Sequence, residues 1–197
     1  MSIEQKKYKR LRKELQFVQS ELEYVQEVLG EWHLIFEEYH REYCKRKQID
    51  LDQLNKQTIE KIDHILPKPA KKENGIILYE NQKDKSVFKK LYKKIARKLH
   101  PDLGGDEKEF QEAVTAMQEK NFEKILDICD KHDILIEINK EMLELLEEQI
   151  LHVKEQIKKE KSTYSWSLYS CADDRCKDNV IKKFLKHLFN YEENKWN

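Results

Sequence analysis

Apolar residues recur near the start of the chain at alternating steps of four and three: Leu11, Leu15, Val18, Leu22, Val25, Leu29, Trp32, Phe36, Tyr39 and Tyr43. An unbroken heptad seam of this length is the pattern of a coiled-coil strand rather than a chance amphipathic face. Gly30 lies off the seam, where it costs about 1 kcal/mol relative to Ala without ending the helix. One continuous helix is therefore predicted from about Glu4 to about Lys47. A weaker pattern through Leu51, Leu54, Thr58, Ile62 and Ile65 stops at Pro67-Lys-Pro69, because the prolines remove donors and force extended residues before them. Pro67 to Gly75 reads as a linker, and the apolar run Ile76 to Tyr79 is too short for its period to separate strand from helix.

Further on, Ser86 to Leu99 is patterned as a helix, His100 to Gly105 as a loop, and Glu107 to Gln118 as a second helix. Asp106 is placed to cap that helix, with Glu109 at the spacing of a capping box and able to reach back to the cap. Gly104-Gly105 supplies a flexible turn before it. A short helix from Phe122 to Lys131 follows Asn121. From about Ile134 a long helix is predicted to run to about Lys161, with Leu143, Leu146, Ile150, Val153 and Ile157 on one stripe.

Two long helices with single stripes cannot leave those stripes in water. An antiparallel coiled coil within the chain, closed by the domain between the two helices, is the simplest solution, and a homodimer satisfies the stripe equally well. After Ser162 comes an aromatic run. A last amphipathic helix from about Asp178 to Tyr191 then offers Val180, Ile181, Phe184, Leu185, Leu188 and Phe189, as core packing or as a docking surface, with core favoured.

Composition sharpens the fold class to all-α. Only four glycines and three prolines punctuate the chain, and 39% of residues are charged. The expected organisation is coiled-coil helix and following short helix over 1–66, linker over 67–82, a helical hairpin domain over 83–134, a second coiled-coil helix over 135–161, and a C-terminal helical segment over 162–197. Net charge is zero, so no overall field favours nucleic acid or an acidic membrane. No signal peptide or run of roughly 18 apolar residues stands out, so the expected compartment is cytoplasmic. Cys44, Cys129, Cys171 and Cys176, scattered through a Lys/Glu-rich chain, are expected to be reduced. Cys171 and Cys176 with His187 lack a fourth ligand, so no metal is expected, and no cofactor. His33, His40, His64, His132, His152 and His187 stand isolated from any catalytic spacing, so no enzyme is expected.

Phe88, Leu91, Tyr92, Ile95 and Leu99 share one face of the helix before the loop, while Lys89, Lys90, Lys93, Lys94, Arg97 and Lys98 take the other. From Lys85 to His100, Lys85 included, there are seven Lys or Arg and no acid, the strongest local positive field in the chain. Pro101 then ends the helix and exposes Asp102 on a tight turn. This arrangement resembles the second helix and signature loop of the J-domain (DnaJ-like) family: apolar, two basics, apolar, aromatic, two basics, Leu-Ala or its like, and His-Pro-Asp. Phe88 to Asp102 matches that pattern at nearly every position. Phe110, Ala113, Ala116 and Met117 match the family's third helix. Gly104-Gly105-Asp106 is similar to the loop in J-domains of viral proteins, polyomavirus T antigens among them, with Leu103 in place of the usual lysine.

The resemblance covers about Ser86 to Ile134. The family's first helix, Tyr-x-x-Leu-Gly, has no clear match, and neither a Gly/Phe-rich stretch nor a CxxCxGxG repeat occurs. The resemblance implies a co-chaperone that binds a DnaK-type heat-shock chaperone and stimulates its ATP hydrolysis, with the coiled coil binding an unknown client protein or driving oligomerisation. It implies contact through His100, Pro101, Asp102, Tyr92, Lys89, Lys93, Lys94 and Arg97. Alternatives are a coiled-coil adaptor with a degenerate J-like domain, or nucleic-acid binding by the basic helix, against which the neutral net charge and the lack of a recognition motif argue.

Overall fold

The heptad seam forms one helix. In the computed structural model, which describes residues 2–56, 82–119 and 121–191 (backbone only for 82–86), α1 runs Ile3–Arg46. Its predicted seam residues are buried or half-buried without exception, and Gly30 faces open space. Residues 51–56 form the described part of α2. The remainder of that predicted helix, the Pro67–Gly75 linker and the Ile76–Tyr79 run lie outside the described residues. Then follow α3 (Gln82–Leu99), a single 3-10 turn (Pro101–Leu103), α4 (Glu107–Gln118) and α5 (Phe122–Lys131). The chain ends with α6 (Lys140–Lys161), α7 (Tyr164–Tyr169) and α8 (Asp174–Phe189). Among the described residues there is no strand, and the fold is all-α. No described helix is long and apolar enough to cross a membrane.

The described residues divide into two compact units, one of residues up to 22 with 82–155, the other of 23–56 with 156–191. In the first, the buried apolar side chains include Leu11, Leu15 and Val18 of α1, Phe88, Leu91, Ile95 and Leu99 of α3, Ala113 and Ala116 of α4, Phe122, Ile125 and Leu126 of α5, and Leu145, Leu146 and Ile150 of α6. The Phe88 and Phe122 rings lie 5.1 Å apart. Arg12, only 8% exposed, ties α1 to α5 by donating to Asp127 (2.6 Å) and Asp130 (3.0 Å). Burial opposes its charge, but the bond with Asp127 and the fields of Tyr8, Asp127 and Asp130 outweigh it and hold the guanidinium above its ordinary range.

Two expectations about this unit are corrected. Lys7 pairs with Glu147 (2.8 Å) and Lys154 with Glu14 (2.7 Å). The earlier residue of α1 thus meets the earlier residue of α6, and the helices run parallel, not antiparallel. An apolar stripe carries no direction; the flanking charges do. Second, α6 begins at Lys140, not near Ile134. Residues 134–139 contain no helix and alternate in burial, with Ile134, Ile136 and Ile138 half-buried and Leu135 exposed. β-branched residues lose side-chain freedom in a helix and suit an extended chain. The Asn139 side chain then caps α6 by accepting from the Met142 amide (2.9 Å).

In the second unit Phe36, Tyr43, Cys44, Leu54, Leu168, Ile181 and Leu185 form the core, with Trp32, Tyr39, Tyr164, Val180, Phe184 and Phe189 packed against it. Phe184 meets Phe36 edge-on at 5.0 Å. The C-terminal aromatic segment is therefore core, apart from Leu188, which stays exposed. Cys171 and Cys176 are disulfide-bonded, which corrects the expectation of reduced thiols. Asp173 caps α8 by accepting from the Cys176 amide, and the turn before it brings the two Cα atoms within 5.4 Å, inside disulfide range. The other two cysteines are free and buried. Burial pushes the Cys44 and Cys129 thiols up to about 11, so both serve packing rather than reactivity.

Candidate functional site

The loop between α3 and α4 is held by its own backbone. The His100 carbonyl accepts from the amides of Leu103 (2.9 Å) and Gly105 (3.2 Å), and the Pro101 carbonyl from the Gly104 amide (2.9 Å). Gly104 has φ +87°, a left-handed conformation that a side chain would strain. Gly105 packs directly on the Leu99 carbonyl, leaving no room for a Cβ. The two glycines therefore act as a tight clamp, whereas the pattern alone reads them as a flexible turn.

Within this clamp His100 ends α3, its amide donating to the Ala96 carbonyl (3.0 Å). Its ring rests against Phe110 of α4, with centroids 5.0 Å apart. The Asp102 amide donates to His100 Nδ1 (3.2 Å), which leaves the neutral ring's own proton on Nε2. The Asp102 carboxylate stands 3.6 Å from Nδ1, too far for a hydrogen bond, and its side chain is 87% exposed. Pro101 and Leu103 are exposed beside it. The loop thus presents an imidazole braced from below and a carboxylate free in solvent.

Below the loop, α3 places Lys89, Lys93 and Arg97 in solvent, with Tyr92 39% exposed. Lys94 is the exception. Its ammonium donates to the Leu135 carbonyl (2.9 Å) and lies 3.8 Å from Glu137, so it steadies the connection between α5 and α6. This tether escapes sequence reasoning because a lysine's place in a basic run does not reveal a carbonyl 41 residues away.

On α4, Asp106 accepts from the Glu109 amide (3.0 Å), as the capping pattern predicts. Glu109 does not complete the box. Its carboxylate instead meets Lys131 (2.7 Å) and His132 Nε2 (3.3 Å), joining the start of α4 to the end of α5. Ala113 and Ala116 are buried, which small side chains allow where helices approach closely. Arg12, one basic residue among many along α1 in the sequence, supports the same body through Asp127 and Asp130.

Among the described residues no group of three or more His, Cys, Asp or Glu is placed to hold a metal ion. The Cys171 and Cys176 sulfurs are engaged with each other, and His187 Nδ1 lies 3.1 Å from the Tyr164 hydroxyl. The site offers recognition chemistry: an exposed carboxylate on a backbone-bonded turn, an oriented imidazole and a cationic helix face leading to them. No protein-family profile, curated protein or solved structure matches the chain.

Proposed function

We propose that the chain is a J-domain co-chaperone that binds a DnaK-type heat-shock chaperone and stimulates its ATP hydrolysis. The observation that carries this reading is the clamped loop, in which His100, Pro101 and Asp102 project together from the end of a helix bearing Lys89, Lys93 and Arg97 in solvent. The cationic face steers encounter with an acidic surface of the chaperone. Asp102 then accepts a charge-assisted bond from a basic residue of the partner, from a turn whose backbone bonds reduce the ordering cost of binding. Lys94 is withdrawn from that face by its bond to Leu135, and Tyr92 supplies an amphipathic contact beside it.

Stimulation of a partner's hydrolysis requires tighter binding to the state that hydrolyses ATP, because a ligand shifts an equilibrium only by its differential affinity. The chain itself needs no catalytic group for this role. The family's first helix has no clear match in the sequence, and on this reading the long helices α1 and α6, whose buried residues lie in the same unit as those of α3, supply its support. The reading places the protein in the cytoplasm, where the Cys171–Cys176 bond is open to reduction. The test is single-turnover ATP hydrolysis by a DnaK-type chaperone with the purified chain at matched concentration. Acceleration by several-fold is expected, and no acceleration across several such chaperones overturns the reading.

A further inference from the structure

A cavity of about 310 Å³ lies in the first unit, between α3, the end of the extended connection and the first turn of α6. Its floor is apolar: Val87, Leu91 and Met142 are all buried. Its rim carries four cations, Lys90, Lys93, Lys94 and Arg97. Two acids also line it, Glu137 and Glu141, and Glu137 is partly offset by Lys94 at 3.8 Å. The rim is thus positive in balance, and the start of α6 adds the positive end of a 22-residue helix.

From this the geometry points to a binding site for a small amphiphilic anion, a phosphate monoester or carboxylate carrying a short apolar chain. Each half of the cavity excludes a simpler ligand. A bare inorganic anion would leave the apolar floor wet, and a neutral apolar molecule would leave the cationic rim without a counter-charge. The volume is at the lower end of small-ligand pockets and holds roughly ten heavy atoms at the packing of liquid water. An eight-carbon chain inside the cavity, with its charged head outside at the cationic rim, is therefore the right size, and a two-chain lipid is not.

The site stands whether or not the chain is a co-chaperone. If that reading holds, one consequence rests on it: the ligand engages Lys93 and Arg97, which the proposed partner also uses, so occupancy and chaperone binding compete.

The test uses the full chain alone, with its methionine methyl groups carbon-13 labelled and followed by NMR. Octyl phosphate, kept monomeric, is expected to move the Met142 methyl signal saturably and leave that of Met117 in place. Inorganic phosphate and 1-octanol should each bind at least ten-fold more weakly. Lys90→Glu should weaken octyl phosphate at least five-fold, while Lys89→Glu, outside the cavity rim, should leave its affinity unchanged, with helicity intact in both. Equal binding of 1-octanol overturns the site, as does equal weakening by the two variants, or anionic phospholipid vesicles moving Met142 as octyl phosphate does.

Discussion

The connection from α3 to α4 and the one from α5 to α6 join helices of the same unit by opposite means. The first turns within His100 to Gly105 and is closed mainly carbonyl to amide, with His100 Nδ1 accepting one further amide, so that Pro101, Asp102 and Leu103 are left for the solvent. The second runs without helix over 134–139 and is secured by side chains, Lys94 of α3 on the Leu135 carbonyl and its own Asn139 on the Met142 amide. A loop held by its backbone frees its side chains for recognition, whereas one held by side chains consumes them. That difference makes the first connection the candidate site and the second a scaffold.

The contrast can be broken most sharply at Gly105. Gly105→Ala drives a methyl group into the Leu99 carbonyl, a backbone atom that cannot step aside, and should cost about 3 kcal/mol. Chemical denaturation gives the number, and proton NMR of His100 shows the loop displaced. A cost below about 0.5 kcal/mol would show that the clamp is not tight. At the other connection Asn139→Ala removes only one capping bond and should cost about 1 kcal/mol. Amide exchange should then speed up at the first turn of α6 while the 100–105 amides stay protected. Loss of protection at both would mean that the two connections are not independently held.

The smallest effect concerns Glu123, on the helix that feeds the second connection. Burial first, then its hydrogen bond with Asp127, push the Glu123 carboxyl up to about 7, against the lowering field of Arg12 and a hydrogen bond with Gln16. A carboxyl raised in the folded state ionises more readily when unfolded. Its stabilising effect is full below its ordinary value of 4.5 and is lost as pH rises toward 7. Glu123→Gln should therefore raise stability at pH 8 by up to about 1 kcal/mol, given its partial exposure to solvent, and flatten the profile between these limits. Thermal melts at pH 4.5 and pH 8 check both parts, and an unchanged profile would remove Glu123 from the account.

Much of this architecture is legible in the sequence where a residue states its own constraint. Asp106 and Asn121 mark the starts of α4 and α5 because a capping side chain acts within three residues. The α1 seam is legible because ten positions repeat one demand. Legibility fails where the deciding partner is distant or the pattern serves two states. Ile134 and Ile138 fit a helix as well as an extended chain, so the start of α6 is misplaced. The parallel course of α1 and α6 depends on which glutamate Lys7 and Lys154 meet, and the Cys171–Cys176 bond on a turn that brings two sulfurs together. In the candidate site, His100, Pro101 and Asp102 are visible as a motif, but the steric role of Gly105 and the diversion of Lys94 are not.

On the proposed function, stimulation depends on the clamped loop, while Lys94, committed to the Leu135 carbonyl, takes no direct part in the contact. Single-turnover ATP hydrolysis by the chaperone, with wild type, His100→Gln and Lys94→Gln compared side by side, tests it most directly. His100→Gln should abolish acceleration with helicity unchanged, while Lys94→Gln, altering a lysine already committed to Leu135, should retain at least half of it. Acceleration that survives His100→Gln, or that Lys94→Gln abolishes with the fold intact, would contradict the account.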